Sequence, residues 1–151
     1  DGIGYAMRGG KIYIEGNTGY RTGIHMKAYK EKFPVIVVGG EAGSFLGEYQ
    51  AGGLIVVLGL NTEKGLSPVG NFCGMGIHGG CIFLRCAELP KHLPPQVSAT
   101  IAGAEDLANI KPYINEFCQI FCKHSDEIMK DQFFVLSPNT KNPYKQLYTP
   151  N

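Results

Sequence analysis

Histidines, carboxylates and cysteines set the chemical possibilities of this chain. His25 and His78 lie in the same local context, Gly23-Ile24-His25 and Gly76-Ile77-His78, and take matching places near two repeat starts. Histidine acts as a general acid or base only with a nucleophile or carboxylate within hydrogen-bond reach. Glu48 and Glu41 are the nearest acidic residues for that part. His25, His78 and Glu48 therefore form the candidate catalytic set, although structural roles are the preferred expectation. Cys73, Cys81 and Cys86 surround His78, while Cys118 and Cys122 are four residues apart with His124 close behind. Zinc sites usually carry tight C-x-x-C pairs, and this chain has none. Packing as small hydrophobes is the expected role of these thiols.

Two further patterns carry possible binding chemistry. Gly74-Met-Gly76-Ile-His-Gly79 fits G-x-G-x-x-G, the dinucleotide-binding turn. That turn needs a helix behind it to aim its N-terminus at a pyrophosphate. The segment behind it in this chain is Cys-Ile-Phe-Leu-Arg, a strand pattern, so the match is a by-product of repetition. Arg8, Arg21, Lys27 and Lys30 could form a basic rim, more often a solvated face. Tyr5, Tyr13 and Tyr49 are the hints of an aromatic row that a ligand-binding module would need.

The elements that must position these residues repeat. Gly47-Glu-Tyr-Gln-Ala-Gly52-Gly53-Leu-Ile-Val-Val-Leu-Gly59 has counterparts in Gly4 through Gly9, Gly10 and Gly16, and in Gly74 through Gly79, Gly80 and Cys86. A looser copy starts at Gly23. These glycines are read as structural. Strands are expected at residues 11–15, 35–38, 54–58 and 81–85, all β-branched, aromatic or aliphatic and bounded by turn residues. Polar loops are expected at 27–34 and 61–68. One main strand and two glycine corners per 19 to 27 residues predict a coil of stacked strands, a β-helix, rather than a helical domain. The absence of Asn-Gly hairpin signals in this region argues against a flat antiparallel sheet.

Composition bounds the remaining classes. The chain has 151 residues, about one domain, and a net charge of +1, which points to no nucleic-acid surface. Its apolar runs are far shorter than the roughly 20 residues that span a bilayer. Five cysteines without a secreted framework fit a reducing compartment.

Twenty of 21 glycines precede residue 81, and prolines 90, 94 and 95 mark a boundary beyond them. The expectation is a β-coil over 1–96 and a helical extension over 97–151, packed as one compact unit. Within that extension, residues 104–106 could open a short helix and 112–130 carry an apolar stripe with Pro112 in the first turn. Residues 133–136 read as a last strand or extended segment, and 137–151 as a polar tail.

The repeat carries a resemblance as well. Residues 9–27, 35–53 and 74–80 resemble the GXGXG domain of the glutamate synthase large subunit, and similar repeats occur in a subunit of formylmethanofuran dehydrogenases. The resemblance covers about residues 2–86. It implies a right-handed, single-stranded β-helix with an architectural role, occurring as a stand-alone subunit or a domain. It implies no catalytic, cofactor-binding or metal residue in this chain. FMN and an iron–sulfur cluster belong to partner subunits or domains, an FMN-binding synthase and a glutaminase, which make glutamate from glutamine and 2-oxoglutarate in the cytoplasm. No nucleic acid or membrane is implied, and a homo-oligomer is open. The alternatives are a part of formylmethanofuran dehydrogenase and a self-contained enzyme or ligand-binding module using a groove on the coil.

Overall fold

The computed structural model describes residues 1–139, so most of the expected tail, 140–151, lies outside the described residues. The chain forms β1 (Lys11–Ile14), β2 (Val35–Val38), β3 (Ala51–Val57), β4 (Gly79–Arg85), β5 (Val97–Ile101), α1 (Ala104–Phe121), α2 (Ser125–Met129) and β6 (Phe133–Pro138). The fold is mainly β, with one six-stranded sheet of order β1-β2-β3-β4-β6-β5. The first four strands pair in parallel and in chain order; β4–β6 and β5–β6 are antiparallel.

Each parallel strand ends in a corner that stacks on the corner of the next turn. Thr18, Ala42 and Val69 make parallel bridges between successive turns. Farther along, Gly23 N–H donates to the Ile3 carbonyl, Gly47 to Thr22 and Gly74 to Leu46, at 2.7–2.8 Å. Backbone groups unpaired within a turn are thus paired between turns, which buried backbone requires.

The run Val35-Ile-Val-Val is apolar on both faces because both are covered, as in parallel sheets. Ile36 and Val38 pack on one face with Leu46, Ile55, Val57, Ile82 and Leu84. Val35 and Val37 face Ile110, Ile114 and Phe117 of α1. The sheet is therefore the wall between two cores.

The C-terminal region departs from the sequence reading in three places. A single helix starts at Ala104, with Pro112 inside it rather than in its first turn. Burial of Ile110, Ile114 and Phe117 offsets the hydrogen bond that Pro112 cannot donate. The stretch read as helix to residue 130 breaks at Cys122, whose backbone is left-handed (φ 57°), and resumes as α2. Finally, β5, where no strand was expected, pairs with β6, which is the strand expected at 133–136, and together they extend the sheet. The C-terminal region lays α1 across one face and caps the β4 edge with an antiparallel pair.

Candidate functional site

The corner around Gly4, Gly23, Gly47 and Gly74 carries the candidate residues, and its backbone explains their placement. In every turn, three alternate residues take positive φ. They are Gly2, Gly4 and Ala6; Arg21, Gly23 and His25; Phe45, Gly47 and Tyr49; Phe72, Gly74 and Gly76. Only the central position is always glycine. A Cβ at Gly23 would lie 2.6 Å from Ile55 Cδ1, and one at Gly47 2.8 Å from Ile82 Cδ1. The flanking positions tolerate side chains at the cost of left-handed strain, about 1–2 kcal/mol per residue.

Because the turns stack, those side chains stack too. His25 lies on Tyr49 with ring centroids 5.1 Å apart and 20° between planes, and Tyr5 meets His25 edge-on at 6.2 Å. Phe45 stacks on Phe72 at 5.1 Å, with Tyr20 edge-on to Phe45 at 5.4 Å. The Arg21 guanidinium lies 4.8 Å from the Tyr20 ring centre and 5.1 Å from that of Phe45. Tyr5, Tyr20, Tyr49 and Phe72 are all exposed. The result is two short surface ladders, one aromatic with an arginine at its edge, the other tyrosine and histidine.

Between them, Glu48 is buried and accepts a 2.7 Å bond from Arg21 Nε. That bond, against the opposing effect of burial, holds the Arg21 guanidinium more firmly protonated than usual. A carboxylate committed to an arginine is a poor general base. Arg8 donates to the carbonyl of His25 at 2.8 Å and of Ala6 at 2.9 Å, so it braces the first turns.

The two histidines do not occupy matching places in the coil. His25 N–H donates to the Glu48 carbonyl and Tyr49 N–H to that of Met75, which aligns His25 with Tyr49. His78 N–H donates to the Gln50 carbonyl and Lys27 N–H to that of Met7, so His78 falls two residues farther along, in the position of Lys27. The register follows the inter-turn ladder at Gly23 and Gly74, not the local Gly-Ile-His sequence. Two cavities, of 440 Å³ and 280 Å³, are lined by none of His25, His78 and Glu48.

Four of the five cysteines, Cys73, Cys81, Cys86 and Cys118, pack in or against the two cores, and Cys122 is exposed. Cys73 is buried in the coil, and burial pushes its thiol up to about 12; the same cause raises Cys81 to about 12 and Cys86 to about 11. All five are free, and no group of three or more His, Cys, Asp or Glu side chains could hold a metal ion among the described residues. No described helix is long and apolar enough to cross a membrane.

Gln50 is a residue the sequence reading missed. It lies fully buried where the other turns place Met26 and Ile77, and its Nε2 reaches the carbonyls of Gly52, Gly53 and Cys81 at 3.2–3.4 Å. A polar residue in an otherwise apolar column was the available signal. It pins the irregular pairing at Gly52-Gly53, where the β3–β4 register shifts.

Known proteins share this pattern. A family model described as GXGXG motif matches residues 1–139. The chain is 46% identical over 142 residues, 89% of its length, to "Uncharacterized protein MJ1350" of Methanocaldococcus jannaschii, and covers 54% of that protein. It is 33% identical over 95 residues, 62% of its length, to ferredoxin-dependent glutamate synthase 2 of Synechocystis sp., covering 5% of it. The chain thus spans about half the length of one relative and a small part of the other.

Proposed function

The chain belongs to the GXGXG-motif family, and from that premise we propose that it is a structural, non-catalytic part of a glutamate synthase-like assembly. Its role there is to hold a glutaminase and an FMN- and iron–sulfur-containing synthase at a fixed separation. Those partners carry the FMN and the cluster, and the assembly works in the cytoplasm, where five free thiols are at home.

One observation carries this reading: the corner segment repeats four times with its backbone hydrogen-bonded from turn to turn. Each turn is fixed by the next, and a rigid spacer is what preorganised reacting centres require. We take the stacked turns as a right-handed β-helix, because parallel crossovers are right-handed in about 98% of cases. The pairing of Glu48 with Arg21 and the displaced register of His78 weigh against a catalytic set at the corner. The similarity to a glutamate synthase over 95 residues supplies the choice of assembly.

The test is gentle purification of the tagged protein from its native cells, with its visible spectrum and companions recorded. The proposal expects a flavin and iron–sulfur spectrum together with a glutaminase and an FMN subunit. A molybdopterin enzyme as companion reassigns the protein to the formylmethanofuran dehydrogenase branch. A colourless protein that purifies alone sinks the scaffold reading.

A further inference from the structure

Helix α1 crosses the sheet from the β5–β6 side to β1. Ala102, just before the helix, donates to the Phe133 carbonyl at the β5–β6 side. Near the other end, Glu116 is held by Lys11 at 2.7 Å and by the Tyr13 hydroxyl at 2.6 Å, on β1. One helix over a six-stranded sheet leaves a wedge uncovered on its flank. Here that wedge is a 280 Å³ cavity over the starts of β3 and β4.

Its lining includes backbone and small side chains: Gly52, Gly53 and Gly80 from the starts of β3 and β4, with Ser98, Thr100 and Ser137 from β5 and β6. Leu54, Phe83, Ile110 and Val135 supply apolar walls, and the ring of Phe33 lies at the rim. A mostly apolar concavity with a few convergent polar groups is the usual form of a small-molecule site, and 280 Å³ lies near the lower edge of their ~300–1,000 Å³ range.

The charge of the lining selects the ligand. Asp106 is its single ionisable carboxylate, with no lysine, arginine or histidine beside it. One of its oxygens accepts the Gly103 N–H at 2.9 Å, which fixes the carboxyl against the helix start and leaves the other oxygen free among the described residues. Asn109 and Tyr113, one and two turns on, also line the cavity. Burial, aided by the Asp106 charge, raises the Cys81 thiol, so the wall beside the carboxylate is neutral.

We infer that this wedge binds a compact molecule with a flat or branched apolar body and a protonated amine at one end. The apolar body lies over the glycines, and the ammonium meets Asp106. A carboxylate-bearing molecule of the same shape is repelled. The site is separate from the corner ladders and does not rest on the assembly reading, so either can fail alone.

The experiment is a titration of the isotope-labelled chain, followed by backbone amide resonances, with phenethylamine, phenethyl alcohol and phenylacetate. The expected result is saturable shifts at Gly53, Cys81, Thr100 and Asn109, with the amine saturating first and phenylacetate last. Asp106→Asn, which can still accept the Gly103 N–H, is expected to weaken the amine about tenfold and erase its lead over the alcohol. Ser137→Leu, which fills the cavity, is expected to abolish all three sets of shifts. Amine shifts that do not saturate, an amine advantage that survives Asp106→Asn, or equal binding of phenylacetate overturns the inference. Should Ser137→Leu fail to fold, the Asp106 variant and the three-ligand order still decide it.

Discussion

The corner of the coil and the helical flank are ordered by different means. At the corner, backbone makes the structure: glycines, positive φ and inter-turn hydrogen bonds, with side chains such as Phe45 and Tyr49 displayed outward. On the flank, side chains make it: Ile110, Ile114 and Phe117 are fully buried against β2 and β3, and they carry a helix through an internal proline. A region built by backbone tolerates almost any outward residue and almost no inward Cβ. A region built by side chains behaves the opposite way.

Substitutions can break that contrast, and the largest effect is expected where backbone packs directly on backbone, at the start of β4. A Cβ at Gly80, where φ is +75°, would lie 2.6 Å from the Gly53 carbonyl oxygen and 2.7 Å from Gln50 Nε2. Gly80→Ala is expected to lose more than about 4 kcal/mol or not to fold, as read by urea melts. Gly16→Ala, with open space around it and no positive φ, is expected to stay within about 0.5 kcal/mol. Equal effects at the two glycines would remove the backbone account.

Phe117→Ala is expected to cost about 3–5 kcal/mol in the same melts. Amide exchange is expected to quicken first in α1, while the Gly23, Gly47 and Gly74 amides keep their protection. Uniform loss of protection would mean that the two regions are one cooperative unit.

Ala6→Gly relieves left-handed strain at a flanking corner position and is expected to stabilise by up to about 1 kcal/mol, since glycine's own entropy cost offsets part of the gain. A loss instead would show that the alternating positive-φ pattern is not strained.

A smaller effect is pH-dependent and lies where α1 meets β1. Bonds from Lys11, then from Tyr13, hold the Glu116 carboxyl below the ordinary value of 4.5. Its folded pKa is depressed, so its contribution is full above that value and is lost as pH falls through the lower folded one. Glu116→Gln is expected to lower the urea midpoint slightly at pH 7 and not at pH 2, flattening the acid limb. A difference that persists unchanged at pH 2 would assign the loss to packing instead.

Chemical labelling sharpens the contrast last. Cys73 and Cys81, both with raised thiols, are expected to react slowly at neutral pH, and the exposed Cys122 at the α1 end quickly. Fast labelling of Cys73 would mean that the coil opens.

Much of the parallel sheet is legible in the chain itself. Glycine spacing yields the repeat, and the apolar runs yield the four parallel strands within a few residues, because a buried run bounded by glycine has few other uses. The corner pattern resists such reading. Arg21, Phe45 and Phe72 are not residues that announce positive φ, and they hold it because the turns above and below fix them. Strand β5, Val-Ser-Ala-Thr-Ile, carries only a weak signal, since it lies at the sheet edge and is half exposed. Pro112 reads as a helix start because its cost is local, while the burial that offsets it comes from the sheet.

For the candidate site the division is sharper. Residue types point to His25, His78 and Glu48, but type says nothing of register or partner. Glu48 finds Arg21 one turn away, and His78 lies two positions out of line with His25.

By itself, then, the sequence determined the repeating unit and the family, because glycine spacing and apolar runs act locally. Only the tertiary structure decided the register of the turns, the pairing of Glu48, the stacked rings of the corner and the wedge beneath α1. Those depend on which residues meet between turns and across the sheet, and that is set by long-range hydrogen bonds and packing rather than by neighbours in the chain.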